Sequence, residues 1–397
     1  MPSIYLDHAA TTPLDPALRA ELEPFDAELF ANPSARHPAG VRAAEALDAA
    51  RRRLARAFET RAEGVVFTSG GTEANNLALF SATRAAGTRR PKLAGHVLIG
   101  PTEHASVRVA AAALAEEGCE VEHLPLSPTG TLDLEAALEL VRPDTVLVAQ
   151  SLVQSEVGSV YPVARLARQV RARAPGALVH VDAVQAVGKL ELSLVELGVD
   201  TLSVSAHKLH GPKGAGALVC RPGLKLTPLL LGGGQEGGMR AGTQHVAGAV
   251  GLGLAVERAE ATREAWCAHA LELRTAFEQL LAGHADVRTL APGEDQAASI
   301  VALELADVAA EVALHHLEQR GVFVSAGSAC QAAKRELNPT YAALGLDPER
   351  AKRVLRFSFA RSTTLDEVRA GARALIEVLA SMTERGLAGP ARERAKT

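Results

Sequence analysis

The sequence predicts an α/β protein, with a mainly parallel sheet covered by helices on both faces and a smaller α+β unit after it. Three observations carry this. Short apolar runs recur between helical stretches through the first two thirds, as the buried strands of a parallel sheet do. From residue 246 to about 281 the alternation gives way to a long Ala/Leu/Glu/Arg stretch with few breakers. The chain has 397 residues, too many for one core of ordinary size, so two domains are expected.

In order, the runs 65–68, 96–99, 145–148, 177–181, 201–204 and 216–220 read as strands, with helical stretches such as 163–174 between them. The stretch 246–281 reads as one or two long helices. A strand at 299–305, a helix at 307–320, a strand at 354–359 and a helix at 364–383 follow. The domain boundary is expected near residue 255. Residues 15–255 then form the large domain, and residues 1–14 and 256–397 the small one. On pattern alone the opening segment fits either unit.

Composition narrows the function classes. Hydrophobic residues are 47% and charged residues 22%, ordinary for a soluble globular chain; aromatics are only 3%, so Ala, Leu and Val must fill the core. Net charge is 42 − 46 = −4 with no long basic run, which argues against nucleic acid as a direct partner. No apolar stretch is long enough to span a bilayer, and Asp7 arrives too early for an export signal. Cys119, Cys220, Cys267 and Cys330 are scattered with no Cys-x-x-Cys pair, so no metal site is expected. A cytoplasmic chain with reduced thiols is the expectation.

Four features carry candidate chemistry, each at the end of an expected strand, where open α/β sheets bind ligands. Ser69-Gly70-Gly71-Thr72-Glu73 turns from a strand into a helix, and a helix N-terminus seats phosphate; a plain turn is the bland alternative. Asp182 closes an apolar strand and needs a cationic partner such as a protonated pyridine nitrogen, with Gln185 three residues on; an ordinary helix cap is the alternative. Lys208 lies between a strand and a Gly-Pro turn, and a lysine in a partly dry pocket suits Schiff-base chemistry. Ser205 and His207 beside it can bind phosphate. Cys330 sits in the small-residue run Ser325-Ala326-Gly327-Ser328-Ala329-Cys330, an unusual place for a free cysteine.

The order and wording of these motifs carry more than any one of them. They include Tyr5-Leu6-Asp7-His8-Ala9-Ala10-Thr11-Thr12-Pro13, Thr102-Glu103-His104, His180-Val181-Asp182-Ala183-Val184-Gln185, His207-Lys208, Arg240-Ala241-Gly242-Thr243, Gly327-Ser328-Ala329-Cys330 and Arg356-Phe357-Ser358. In this order the chain resembles cysteine desulfurases of the NifS/IscS type, class V aminotransferase-family enzymes of pyridoxal-phosphate fold type I. The resemblance runs from residue 5 to about 364.

The resemblance implies that Lys208 holds pyridoxal 5'-phosphate and shuttles the substrate Cα proton. It implies that Asp182 pairs with the ring nitrogen, Gln185 bonds the ring hydroxyl, and His104 stacks on the ring and helps move protons. Gly71, Thr72, Ser205 and His207 would hold the phosphate. Thr243 would reach it from a partner subunit, making a homodimer with shared sites. Arg356 would clamp the carboxylate of L-cysteine, and Cys330 would take the sulfur as a persulfide. An iron–sulfur scaffold or a tRNA-thiolation enzyme would receive it next. Two departures stand out: Ser155 replaces a usual Asn near the ring, and Gly237 replaces a frequent arginine. A selenocysteine lyase, an aminotransferase or an inactive partner-docking relative are the alternatives on the same scaffold.

Overall fold

A computed structural model describes residues 3–87, 95–127, 129–290, 295–327 and 338–384. The central sheet has seven strands: β2 (Val65–Thr68), β3 (His96–Ile99), β4 (Glu120–His123), β5 (Thr145–Ser151), β6 (Leu178–Asp182), β7 (Thr201–Ser205) and β8 (Gly216–Cys220). Their order is β2-β8-β7-β6-β5-β3-β4. Only β8 runs against its neighbours; every other pairing is parallel. The short link from β7 to β8 explains this, because a parallel return needs a crossover of a dozen or more residues.

Alternate residues along each strand feed two cores. Val65, Phe67, Val179, Val181, Leu202 and Val204 pack into one core, together with the helices Pro38–Ala57 and Val246–Ala261. Val66, Val97, Ile99, Leu147 and Leu218 pack into the other, with the helices Gly71–Gly87 and Ala105–Glu116. A sheet buried on both faces requires apolar residues in both phases, which is why its strands read as continuous apolar runs.

The second sheet is antiparallel, in the order β12-β13-β10-β9. It comprises β9 (Val287–Leu290), β10 (Ile300–Leu305), β12 (Ser325–Ala326) and β13 (Val354–Ser358). The helices Ala310–Glu318 and Leu365–Glu384 enclose its core, with Leu273, Phe277 and Phe357 at the centre. β1 (Ile4–Tyr5) pairs in parallel with β11 (Val322–Phe323), and Leu6 is buried in this second core.

The expected strands and helices are present with small shifts at their ends. The stretch 246–281 is two helices broken at Thr262. Ala259 packs into the first core and Trp266 into the second, so the change of core falls at this break. Five strands were not anticipated: β1, β11 and β12, of two residues each, and the edge strands β4 and β9. β4 and β9 have mostly exposed or half-buried residues and so lack the apolar signature of a buried strand. No helix among the described residues is long and apolar enough to cross a membrane.

Candidate active site

The parallel strands β5, β6 and β7 end on the same side of the sheet in Ser151, Asp182 and Ser205. These three residues line a cavity of about 380 Å3 there. Gly71, Thr72, His104, Ser155, Asp182, Gln185, Ser205, His207, Lys208 and Arg356 all line it. Of the residues anticipated from the sequence, two are missing from that wall. Thr243 is exposed in a loop and lines a different hollow. Cys330 lies outside the described residues.

The helix Gly71–Gly87 opens on the cavity with a first turn of free N–H groups, which favour an anion. Gly71 is required by close approach: a Cβ there would lie 2.6 Å from Val184 Cγ2. Gly71→Ala is therefore expected to destabilise the fold by about 1–3 kcal/mol, measured by urea unfolding. Ser205 is buried beside this turn. His207 Nδ1 lies 3.1 Å from Thr11 Oγ1. Burial, then the Lys208 charge, pushes the His207 ring down to about 4, so it is neutral before any phosphate arrives. Arg240, from the loop that carries Thr243, ion-pairs with Glu73 at 2.8 Å. Glu73 in turn accepts from Ser69 N at 2.7 Å, which fixes the turn.

Asp182 is 7% exposed and held from two sides. Val184 N donates to Oδ1 at 3.0 Å, and Asn75 Nδ2 donates to Oδ2 at 2.7 Å. Asn75 Oδ1 meets His180 Nε2 at 2.9 Å, and His180 Nδ1 meets Thr201 Oγ1 at 2.8 Å. Burial lowers the His180 ring to about 4. Nearby, burial and then the Asp182 charge raise the Glu103 carboxyl to about 8.

Lys208 ends the short 3-10 turn after β7. Its Nζ donates to Ala9 O at 2.5 Å and Ala10 O at 2.7 Å. Burial, then the Arg356 charge, lowers it to about 8. Gln185 Nε2 donates to the same Ala9 carbonyl at 2.9 Å, and Lys189 Nζ donates to Gln185 Oε1 at 2.9 Å. A carbonyl oxygen only accepts, so Ala9 fixes which way the Gln185 amide faces. Burial, then the Lys208 charge, lowers Lys189 to about 7.

Arg356 is 5% exposed on β13. Its Nη2 bonds Asp7 Oδ1 at 2.8 Å, its Nη1 bonds Ser155 O at 3.1 Å, and Glu156 Oε1 lies 3.6 Å from Nη1. Its buried Nε has no hydrogen-bond partner among the described residues, so not all of the guanidinium's donor capacity is spent there. Gln154 is fully engaged: its Oε1 accepts from Glu156 N at 2.5 Å and Val157 N at 2.8 Å, and its Nε2 donates to Thr102 O at 3.3 Å and Thr340 Oγ1 at 3.1 Å. Gly237 has φ +62° directly after Glu236 at φ +49°, a left-handed turn that favours glycine over the arginine frequent there.

Glycine also shapes the base of the segment that carries Cys330. A Cβ on Gly327 would lie 2.1 Å from the Tyr341 hydroxyl oxygen, and Asn338 Nδ2 donates to Gly327 O at 3.0 Å. The other three thiols are poor nucleophiles. Burial raises Cys119 and Cys267 above the ordinary thiol value and Cys220 to about 12.

Sequence reasoning gave no role to Asn75, Ser106, His180, Lys189, Glu103 or Asp7. Asn75 had a signal: two asparagines early in a helix are poor helix formers and ask for another reason to be there. His180 had one too, as a polar ring inside an apolar strand.

The family profile described as Aminotransferase class-V matches residues 4–370. The Cysteine desulfurase IscS of Dictyoglomus turgidum is 36% identical over 366 residues, 92% of this chain and 91% of that protein. A Cysteine desulfurase of Bradyrhizobium diazoefficiens is 37% identical over 380 residues, 96% of this chain and 95% of that one. Among solved structures, a NifS-like protein superposes with a TM-score of 0.89 at 31% identity, covering 96% of this chain and 100% of its own. The structure described as SspA in complex with cysteine superposes with a TM-score of 0.79 at 29% identity, covering 90% and 99%.

Proposed function

The chain belongs to the aminotransferase class-V family, and from that premise we propose that its cavity works as a pyridoxal-phosphate-dependent cysteine desulfurase, releasing L-alanine and retaining the sulfur. The observation that carries this reading is convergence. One cavity gathers a low-pKa lysine, a buried carboxylate, a helix N-terminus and a buried arginine with donor capacity to spare.

These residues fit pyridoxal phosphate. Thr72, Ser205 and His207 would hold its phosphate, Asp182 its ring nitrogen and Gln185 its ring hydroxyl. When bound, the cofactor supplies an electron sink that loosens the substrate's bonds at Cα and Cβ. The rest is done by side chains. Arg356 orients the substrate carboxylate by charge-assisted donation. Lys208 Nζ, low in pKa, takes the Cα proton and returns it. Ser155 presents a short hydroxyl where the relatives' motif has Asn, so a bridging water completes its reach.

Cys330, as thiolate, attacks the substrate sulfur. The new S–S bond forms as Cβ–S breaks, and Cβ takes up a proton before alanine leaves. The raised pKa values of Cys119, Cys220 and Cys267 support Cys330 in this role. A homodimer with shared sites belongs to the same reading, supported by Thr243 standing outside its own cavity. So do a cytoplasmic location and an acceptor protein such as an iron–sulfur scaffold. A large domain and a small one are supported by the separate cores; the opening segment divides between them, with Leu6 in the second core and Ala9 in the first.

The test is mass spectrometry of the holoenzyme after cysteine is added. Cys330 is expected to gain one sulfur. Cys330→Ser is expected to lose both that adduct and cysteine-dependent alanine release. Alanine release at the wild-type rate in Cys330→Ser would sink the reading.

A further inference from the structure

We infer that Asn75 and Ser106 lock the His104 ring with its proton on Nε2, so that His104 meets the bound substrate as a neutral hydrogen-bond donor and not as a base. Asn75 is the positioning residue that ties this arrangement to Asp182.

The argument starts at Asp182. An ionised carboxylate only accepts hydrogen bonds. The Asn75 atom 2.7 Å from Asp182 Oδ2 is therefore the amide nitrogen, since a carbonyl there would set two acceptors against each other. The Asn75 oxygen then faces His180 Nε2 at 2.9 Å, which must carry a hydrogen. With His180 neutral, its Nδ1 accepts from the Thr201 hydroxyl at 2.8 Å. Every group in this buried chain is satisfied in one arrangement only.

The second amide hydrogen of Asn75 goes to Ser106 Oγ at 2.8 Å. That fills one of the serine oxygen's two acceptor sites, and the hydroxyl hydrogen can then donate to His104 Nδ1, also at 2.8 Å; the backbone decides the direction. A second donor reaches the same nitrogen independently. His104 is the N-cap of the helix Ala105–Glu116, and Ser106 N donates to Nδ1 at 3.1 Å. Nδ1 thus holds a lone pair facing two donors. The proton of the neutral ring is on Nε2, at the opposite edge, and His104 lines the cavity.

Charging the ring would place a hydrogen on Nδ1 against both donors. The ring is accordingly depressed, chiefly by burial, while the Asp182 and Glu156 charges oppose this and those of Lys208 and Arg108 reinforce it. A neutral imidazole held by a helix N-terminus is a known electrophile, polarising an electron-rich atom by donation. Taking protons from the substrate then falls to Lys208. This assignment rests on the desulfurase reading only for the identity of the substrate.

The experiment is nitrogen NMR of the full-length holoenzyme labelled with 15N-histidine, with His104 assigned by loss of its signal in His104→Gln. At neutral pH the proton is expected on Nε2, with Nδ1 as an accepting lone pair. A proton on Nδ1, or a doubly protonated ring, overturns the proposal. Two variants extend the test. Asn75→Ala frees the Ser106 hydroxyl to turn and is expected to bring up the Nδ1–H form. It should also weaken pyridoxal phosphate binding about tenfold through Asp182. Ser106→Ala is expected to change the tautomer balance but not the cofactor affinity, because it does not touch Asp182. Wild-type tautomer and affinity in a folded Asn75→Ala protein would also overturn it. If either variant fails to fold, the wild-type tautomer decides alone. Alanine release is assayed separately, so failure of the tautomer and failure of the desulfurase reading are told apart.

Discussion

Replacing Lys208 by alanine is expected to lower cysteine turnover roughly a thousandfold or more, because one nitrogen both anchors the cofactor and moves the Cα proton. Lys208→Arg should be nearly as inactive, since a guanidinium keeps the charge but gives up no proton near neutrality. The wild-type protein adds a pH signature. Covalent capture of pyridoxal phosphate by the apoprotein needs the unprotonated amine. Burial, then Arg356, brings Lys208 down to about 8. Below that value the capture rate should climb about tenfold per pH unit, and above it the rate should level off. Stopped-flow absorbance on the apoprotein measures this. A rate still climbing at the ordinary lysine value would show that the pocket does not depress Lys208.

Asp182 stood out in the sequence because it ends a recognisable apolar run, and Lys208 because it closely follows one, where this sheet type binds ligands. The turn at Gly71 and Thr72 stood out because it comes just after such a run. The hydrogen-bonded support behind them did not. Asn75 reaches His180 and Asp182 across 105 and 107 positions of chain, and no local pattern encodes a bond of that range. The same holds for Asp7, which meets Arg356 across 349 positions, and for the Ala9 and Ala10 carbonyls that seat Lys208.

The fold shows the same split. The β2-to-β8 order needs the whole sheet, whereas the individual strands needed only their own apolar residues. Edge strands β4 and β9 were missed because an exposed strand has no need of the apolar signature being sought. Gly237 is a different lesson. In the sequence it stands out only as a departure from a frequent arginine; its left-handed backbone accounts for a glycine there on conformational grounds.

Arg356→Leu is expected to damage stability and substrate binding together, and the two can be separated. Removing the guanidinium leaves the Asp7 and Glu156 carboxylates without the cation between them, at 2.8 Å and 3.6 Å in the intact protein. Breaking a fully buried pair costs about 3–5 kcal/mol. The Asp7 side chain is 18% exposed and that of Glu156 23%, so solvent screening should hold the loss to the lower end, about 3 kcal/mol by urea unfolding. Arg356→Lys restores a positive charge beside Asp7 and should recover much of that stability. It should not recover binding. One ammonium cannot hold Asp7 and the Ser155 carbonyl and still present a fork to the substrate carboxylate, so kcat/KM should stay roughly a hundredfold down. The Leu variant carries a further sign. Arg356 is the second cause, after burial, of the low Lys208 value. Without it the Lys208 pKa rises, less amine is free at a given pH, and the cofactor-capture profile moves to the alkaline side. A lysine variant with wild-type kcat/KM would reduce Arg356 to a structural ion pair. An unmoved capture profile in the leucine variant would mean that burial alone depresses Lys208.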